Sequence, residues 1–125
     1  MENYSLEFTI NVAPITKKNS MQIVWAGNKP RVIPSKQYKM YEEDAGWYIP
    51  KAFIGTPINV KALFYMPTRR RVDLVNLQEA LLDVMVKYGC IEDDNSLIVR
   101  SMDGSRVGYD KEDPRTEVFI TYLEE

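Results

Sequence analysis

The stretch "RRRVDLVNLQEALLDVMVKYGCIEDDNS", Arg69 to Ser96, decides how the rest of the chain is read. Three arginines run into Asp73, a helical pattern follows, and Gly89 stands before a turn holding Glu92, Asp93 and Asp94. Turning by about 100° per residue from Asp73 puts Leu77, Ala80, Leu81, Val84, Met85 and Tyr88 on one broad apolar arc. The spacing predicts a helix over Leu74–Tyr88 with that arc on the core and Gly89 as its stop. Asn76, Glu79, Asp83 and Lys87 fall within about 80° of one another beside the arc, as a polar ridge. Glu79 and Asp83 repel at a spacing of one turn, and Lys87 is placed to offset Asp83.

Working outward, "INVKALFYMP" (Ile58–Pro67) alternates and then turns continuously apolar, as a central strand does, and Pro67 closes it. "SLIVRSM" (Ser96–Met102) and "TEVFITYL" (Thr116–Leu123) read as the last strands. The segment between them, from Asp103 to Arg115, reads as a polar turn region or a long hairpin. Near the start, Tyr4, Leu6, Phe8, Ile10 and Val12 alternate with polar residues, a half-buried strand. A basic loop follows, then two short extended pieces around Gly27-Asn28, a hairpin. Ser35 is placed to cap a helix that carries Tyr38, Tyr41, Ala45 and Tyr48 on one core-facing stripe, with Pro50 as its end. The order β, hairpin, α, β, α, β, β predicts an α+β fold. It is a single domain over residues 1–125, with two main helices packed on a mixed sheet.

Composition narrows the chemistry. The 125 residues contain no histidine and one cysteine, Cys90. Nucleophile systems that use histidine are excluded, as are imidazole or thiolate zinc sites. A bound metal must take oxygen ligands, which favours Mg²⁺ or Mn²⁺, with Ca²⁺ as a further choice. The lone cysteine, the lack of a charged-then-apolar leader and the lack of a spanning apolar run predict a cytosolic protein. The net charge of −2 hides an uneven field: +4 over residues 1–39, −1 over 40–68 and −5 over 69–125. Such a field suits a polyanion at one end and a cation at the other.

Asp73 stands where the central strand runs into the helix, and Asp93 and Asp94 stand before the next strand. If the last strands pair beside the central one, these acids converge. Carboxylates that meet in this way repel unless a divalent cation joins them, an arrangement that phosphodiester cleavage uses. Arg69, Arg70 and Arg71 are then placed to hold backbone phosphates.

The basic run, Asp73, Asn76-Leu77, Asp83, Gly89 and the Asp93-Asp94 pair, with "PITKKNS" in the first loop and "PSKQY" at the first helix, cover most of the chain. In this combination the sequence resembles the RusA family of Holliday junction resolvases. These are small, Mg²⁺-dependent, homodimeric DNA endonucleases common in phages and prophages. The resemblance implies a structure-selective endonuclease that cuts four-way junctions with metal-activated water. It implies that Asp73 and Asp94 are catalytic and the principal metal ligands, with Asp83, Asp93 and, from its place on the helical ridge, Glu79 completing or orienting the metal shell. Lys17, Lys18, Asn19, Arg69, Arg70 and Arg71 would bind DNA. Mg²⁺, with Mn²⁺ as a substitute, would be the cofactor, branched DNA and a second copy the partners, and the cytoplasm of a bacterial host the location, with no membrane partner.

Two positions depart from the family pattern. The second aspartate of its Asp-x-Asp is Val75 here, and a lysine common in the first turns of its helix is Glu79. Glu79 and Asp83 are the nearest replacements for the missing ligand, and Asp103 is a more remote one. Two other readings follow: a junction-binding protein of the same fold with weakened or lost catalysis, and an acidic, metal-stabilised scaffold without nucleic acid.

Overall fold

The structure is a computed structural model that describes residues 3–17 and 21–124. Its elements run β1 (Leu6–Ile10), β2 (Met21–Ala26), β3 (Lys29–Pro34), α1 (Lys36–Gly46), β4 (Ile58–Met66), α2 (Leu74–Lys87), β5 (Val99–Ser101), β6 (Arg106–Tyr109) and β7 (Arg115–Tyr122). The fold is α+β, with a mixed sheet and two helices. No helix among the described residues is long and apolar enough to cross a membrane.

β4 is the centre, as its unbroken apolar half predicts. β7 pairs with it antiparallel along nearly its whole length, and β1 lies antiparallel on the far side of β7. On its other side β4 takes two parallel partners in tandem, β5 against its start and β6 against its end. The segment from Asp103 to Arg115 is therefore not a plain turn or a hairpin with β7, since it contributes an edge strand parallel to β4. The gap between β5 and β6 is filled by side chains. Asn59 Oδ1 accepts from Asp103 N–H (2.8 Å), and Ser105 Oγ accepts from Ala62 N–H (3.0 Å). These bonds satisfy backbone donors that the interrupted ladder leaves over. Asp103, the remote replacement candidate, lies at this bulge with its backbone held by Asn59.

Alternate residues of β4, Ile58, Val60, Ala62 and Phe64, point into one core. They meet Ile10, Val118 and Ile120 of the neighbouring strands, Tyr38, Tyr41 and Ala45 of α1, and Leu77, Ala80, Leu81, Val84 and Met85 of α2. The predicted arc of α2 is the buried one, with Tyr88 packed at its margin. Each fully buried aliphatic or aromatic side chain stabilises such a core by about 1.5–3 kcal/mol. On the other face of the sheet, Lys61 Nζ sits about 5.5 Å from the rings of Tyr4 and Phe119, and Arg115 lies 4.1 Å over Tyr65. Tyr4 therefore leaves the face assigned to it. A bend at Ser5, whose Oγ accepts Tyr122 N–H, turns it to the opposite side.

Ser35 caps α1 as expected, its Oγ accepting Tyr38 N–H at 3.1 Å. The helix ends at Gly46, before Pro50 is reached, and three tightened bonds follow, ending at Ile49 N–H to Gly46 O. Tyr88 explains the glycine at that end. Its ring lies so close over Gly46 that a Cβ there would come within 2.6 Å. Tyr48 falls outside the helix and is exposed. The β2–β3 hairpin turns at Gly27, as read, but forms a separate two-stranded sheet.

Candidate functional site

Asp83 is the point about which the charged residues gather. It lies in the third turn of α2 at the edge of the buried arc and is half-buried. Its carboxyl is held above the ordinary value of 3.8, first by burial. Lys17 acts against that shift, while the negative charges of Asp94, Glu79 and Glu42 add to it. Charges from the loop after β1, from α1, from α2 and from the turn after α2 thus act on one carboxylate.

The route by which Asp94 arrives is set by local rules. Gly89 has φ of 81° and ends α2, with Gly89 N–H bonded to Val86 O and Cys90 N–H to Met85 O at 2.8 Å. This pair of bonds closes the helix end and reverses the chain at the one residue without a steric cost there. The emerging segment then pairs with Phe53-Ile54: Ile54 N–H donates to Cys90 O and Glu92 N–H to Ile54 O. Asp93 builds the turn that follows. Its Oδ1 accepts Asp94 N–H (2.8 Å) and its Oδ2 accepts the Asn95 amide (3.1 Å). These bonds, with Asp94 N–H foremost, hold the Asp93 carboxyl below its usual range. Both Asp93 oxygens thus carry bonds within the turn, and the Asp94 carboxylate acts on Asp83.

Asp73 occupies the N-cap position of α2 with extended backbone, yet its carboxylate makes no capping bond. Instead Oδ2 accepts from the Asn76 amide at 3.2 Å. Asp73 is not among the principal charges acting on Asp83. Val75, one residue into the helix, is 62% exposed, so its side chain is spent on neither core nor ligand. Among the described residues no three carboxylates, histidines or cysteines gather closely enough to hold a metal ion as they stand.

Two contributions from α1 were not legible in the sequence. Glu42 pairs with Lys87, which is therefore drawn away from Asp83, contrary to the helical-ridge expectation. Tyr38, read as a core residue, is buried as expected, but its hydroxyl has no hydrogen-bond partner among the described residues. Burial, then the charges of Asp83 and Glu42, push that hydroxyl up to about 12. The charges of Asp83 and Glu42 thus act on an oxygen that has no partner among the described residues.

Of the basic residues expected at DNA, Lys17 is exposed and acts on Asp83. Lys18 and Asn19 lie outside the described residues. Arg69, Arg70 and Arg71 are all exposed on the connection from β4 to α2. The Arg69 guanidinium lies 4.2 Å above the Tyr109 ring, a partner in β6 that the polar reading of that segment had hidden.

Comparison with the curated proteins gives no match. The family model for Endodeoxyribonuclease RusA matches residues 11–121, from the end of β1 through almost all of β7. A match of that extent means that the chain belongs to the RusA endodeoxyribonuclease family.

Proposed function

We propose that residues 1–125 form one Mg²⁺-dependent, structure-selective endonuclease domain that resolves Holliday junctions. The observation that carries this reading is the family match over residues 11–121, and the charges of Asp94 and Glu79 that act on a half-buried Asp83 accord with it. Burial first, and then the like charges, hold that carboxyl up, and a divalent cation would suit such a site. The donors fit a hard divalent ion, and the orphaned Tyr38 hydroxyl supplies an oxygen that a hydrated ion would satisfy. Mg²⁺ commonly needs only one or two carboxylates, taking waters and substrate phosphate for the rest, so a tight protein triad is not required.

Asp83 and Asp94 would hold the ion, with Glu79 completing the negative field in place of the aspartate that Val75 replaces. Asp73, with its uncapped carboxylate at the mouth of the helix, would take part once DNA is bound. The ion supplies Lewis acidity for water attack and for the leaving oxygen. Asp93 keeps the turn in shape. Lys17 offsets part of the repulsion at Asp83, and Arg69, Arg70 and Arg71 fix the phosphodiester without reading bases. A four-way junction has two equivalent strands to cut, so a two-fold homodimer matches its symmetry. A cytoplasmic, phage- or prophage-encoded origin accords with the family resemblance.

Val75 favours a second reading, a junction-binding protein with weakened catalysis. A labelled four-way junction incubated in EDTA, then in Mg²⁺ or Mn²⁺, separates the two. Paired nicks near the crossover support the endonuclease. A shifted band without nicks under either metal supports the second reading, and no salt-sensitive binding at all overturns both.

A further inference from the structure

The chain contains two Arg–Tyr stacks that differ in what the guanidinium does next. Arg115 lies 4.1 Å over Tyr65, and its Nε and Nη1 donors are engaged. Nε donates to Glu117 (2.9 Å), and Nη1 donates to Asp110 (2.9 Å) and to the Asp113 carbonyl (2.8 Å). That stack is structural. Arg69 lies 4.2 Å over Tyr109, and among the described residues no carboxylate is within ion-pair distance of it. Its planar face is used, and among the described residues its forked N–H edge has no carboxylate partner.

The floor under Arg69 is fixed. Tyr109 pairs with Met66 in the β4–β6 register, and the next residue donates Asp110 N–H to Met66 O at 2.9 Å. Asp110 is in turn held by Arg115. Beside the stack, Met66, Thr68, Arg70, Val107 and Gly108 line an open cleft of about 270 Å³. A guanidinium held flat by an aromatic ring keeps its planar fork ordered, and that fork matches two oxygens of a phosphate. The cleft is lined by the end of β4, by β6 and by the start of the connection that runs on to Asp73.

We infer that the Arg69–Tyr109 stack is a subsite for a backbone phosphate of the DNA substrate, with Tyr109 as a positioning residue that acts through Arg69. The inference rests on the proposed function and names how one phosphate is held and by which residue outside the basic run. Tyr109 supplies no charge and is spatially fixed, so its contribution exists only while Arg69 is present.

The test is a double-mutant cycle on binding of a labelled four-way junction in EDTA, across a range of salt, with thermal melting as a check on folding. Arg69→Ala is expected to weaken binding and to lower the log–log salt slope by about one. Tyr109→Ala is expected to weaken binding about 2- to 5-fold in the native chain, the scale of an exposed cation–π contact. It should have no further effect in the Arg69→Ala background, and Tyr109→Phe should bind as the native chain does. Equal losses from Tyr109→Ala in both backgrounds, no loss in either, or a Phe variant that behaves like Ala overturns the subsite while leaving the nuclease reading intact. A folded native chain that binds no junction overturns the nuclease reading and the subsite together.

Discussion

Lys87 of α2 reaches across to Glu42 of α1 instead of back to Asp83, four residues earlier on its own helix. The cation that the helical spacing assigned to Asp83 is therefore committed elsewhere. Lys17, from the loop after β1, takes its place as the positive charge acting on that carboxylate. One consequence is mechanical, since the pair bridges the two helices beside the site. Another is electrostatic, since Lys17 rather than Lys87 offsets the repulsion that Asp94 and Glu79 exert on Asp83.

The Glu42–Lys87 bridge joins side chains that are 23% and 52% exposed, so water screens it. A cycle of Glu42→Gln and Lys87→Met, read by urea unfolding, is expected to give a coupling of about 0.3–1 kcal/mol that shrinks with salt. Lys87→Met alone leaves Glu42 uncompensated and should push the Asp83 carboxyl further up, as read by NMR titration. An Asp83 titration unmoved by Lys87→Met would contradict the arrangement.

Asp83 titrates above 3.8 in the folded chain, so the folded state favours its protonated form. The associated stability is fully present below the unfolded value and is lost as pH rises through the raised folded value. Asp83→Asn should therefore melt higher than the native chain near neutral pH in EDTA, and the gain should vanish in acid. Added Mg²⁺ should raise the melting temperature of the native chain more than that of the variant. Junction cleavage by the variant should fall at least about 10-fold. A variant that melts lower than the native chain near neutral pH in EDTA would show that Asp83 is not repelled.

Val75 offers the reverse experiment. The first turn of α2 carries no acidic residue, and Val75 is 62% exposed. Val75→Asp therefore removes no core contact and adds a negative charge where the helix dipole favours one, worth about 0.3–1 kcal/mol at low salt. Stability should hold or rise slightly. Calorimetric Mg²⁺ affinity and the nicking rate should both increase if the position completes the acidic set. Unchanged values for both would show that Glu79 and Asp83 already suffice. Glu79→Gln is the complement, and should lower both quantities in the native background.

The turn that delivers Asp94 depends on Gly89. Its φ is 81°, and a Cβ there would lie 2.9 Å from the Phe53 ring. Gly89→Ala is expected to cost about 1–3 kcal/mol in denaturant unfolding. Adding Phe53→Ala should recover the steric part and leave the backbone part. Because Phe53-Ile54 pairs with the segment entering the acidic turn, Gly89→Ala should also weaken metal binding. Weakened stability with an intact metal affinity would separate the turn from the site.

Several features were legible in the sequence because they depend on local spacing. The arc from Leu77 to Met85, the stop at Gly89, the cap at Ser35 and the apolar half of β4 are all properties of residues a few positions apart. The absence of histidine fixed the kind of metal chemistry open to the chain. Other features depend on distant segments meeting. The parallel strand Arg106–Tyr109 was hidden because it is only four residues long and set in a polar segment, and only β4 gives it a ladder to join. The close approach that requires glycine at position 46 comes from Tyr88, forty-two residues further along the chain. The pairing of Lys87 with Glu42, the orphaned Tyr38 hydroxyl and the Arg69–Tyr109 stack have no periodic signature at all. Sequence spacing identifies which acids a single helix carries. Which of those acids stand near another element's charge is set by packing, since electrostatic interaction depends on distance in space and on burial, and neither is a property of position along the chain.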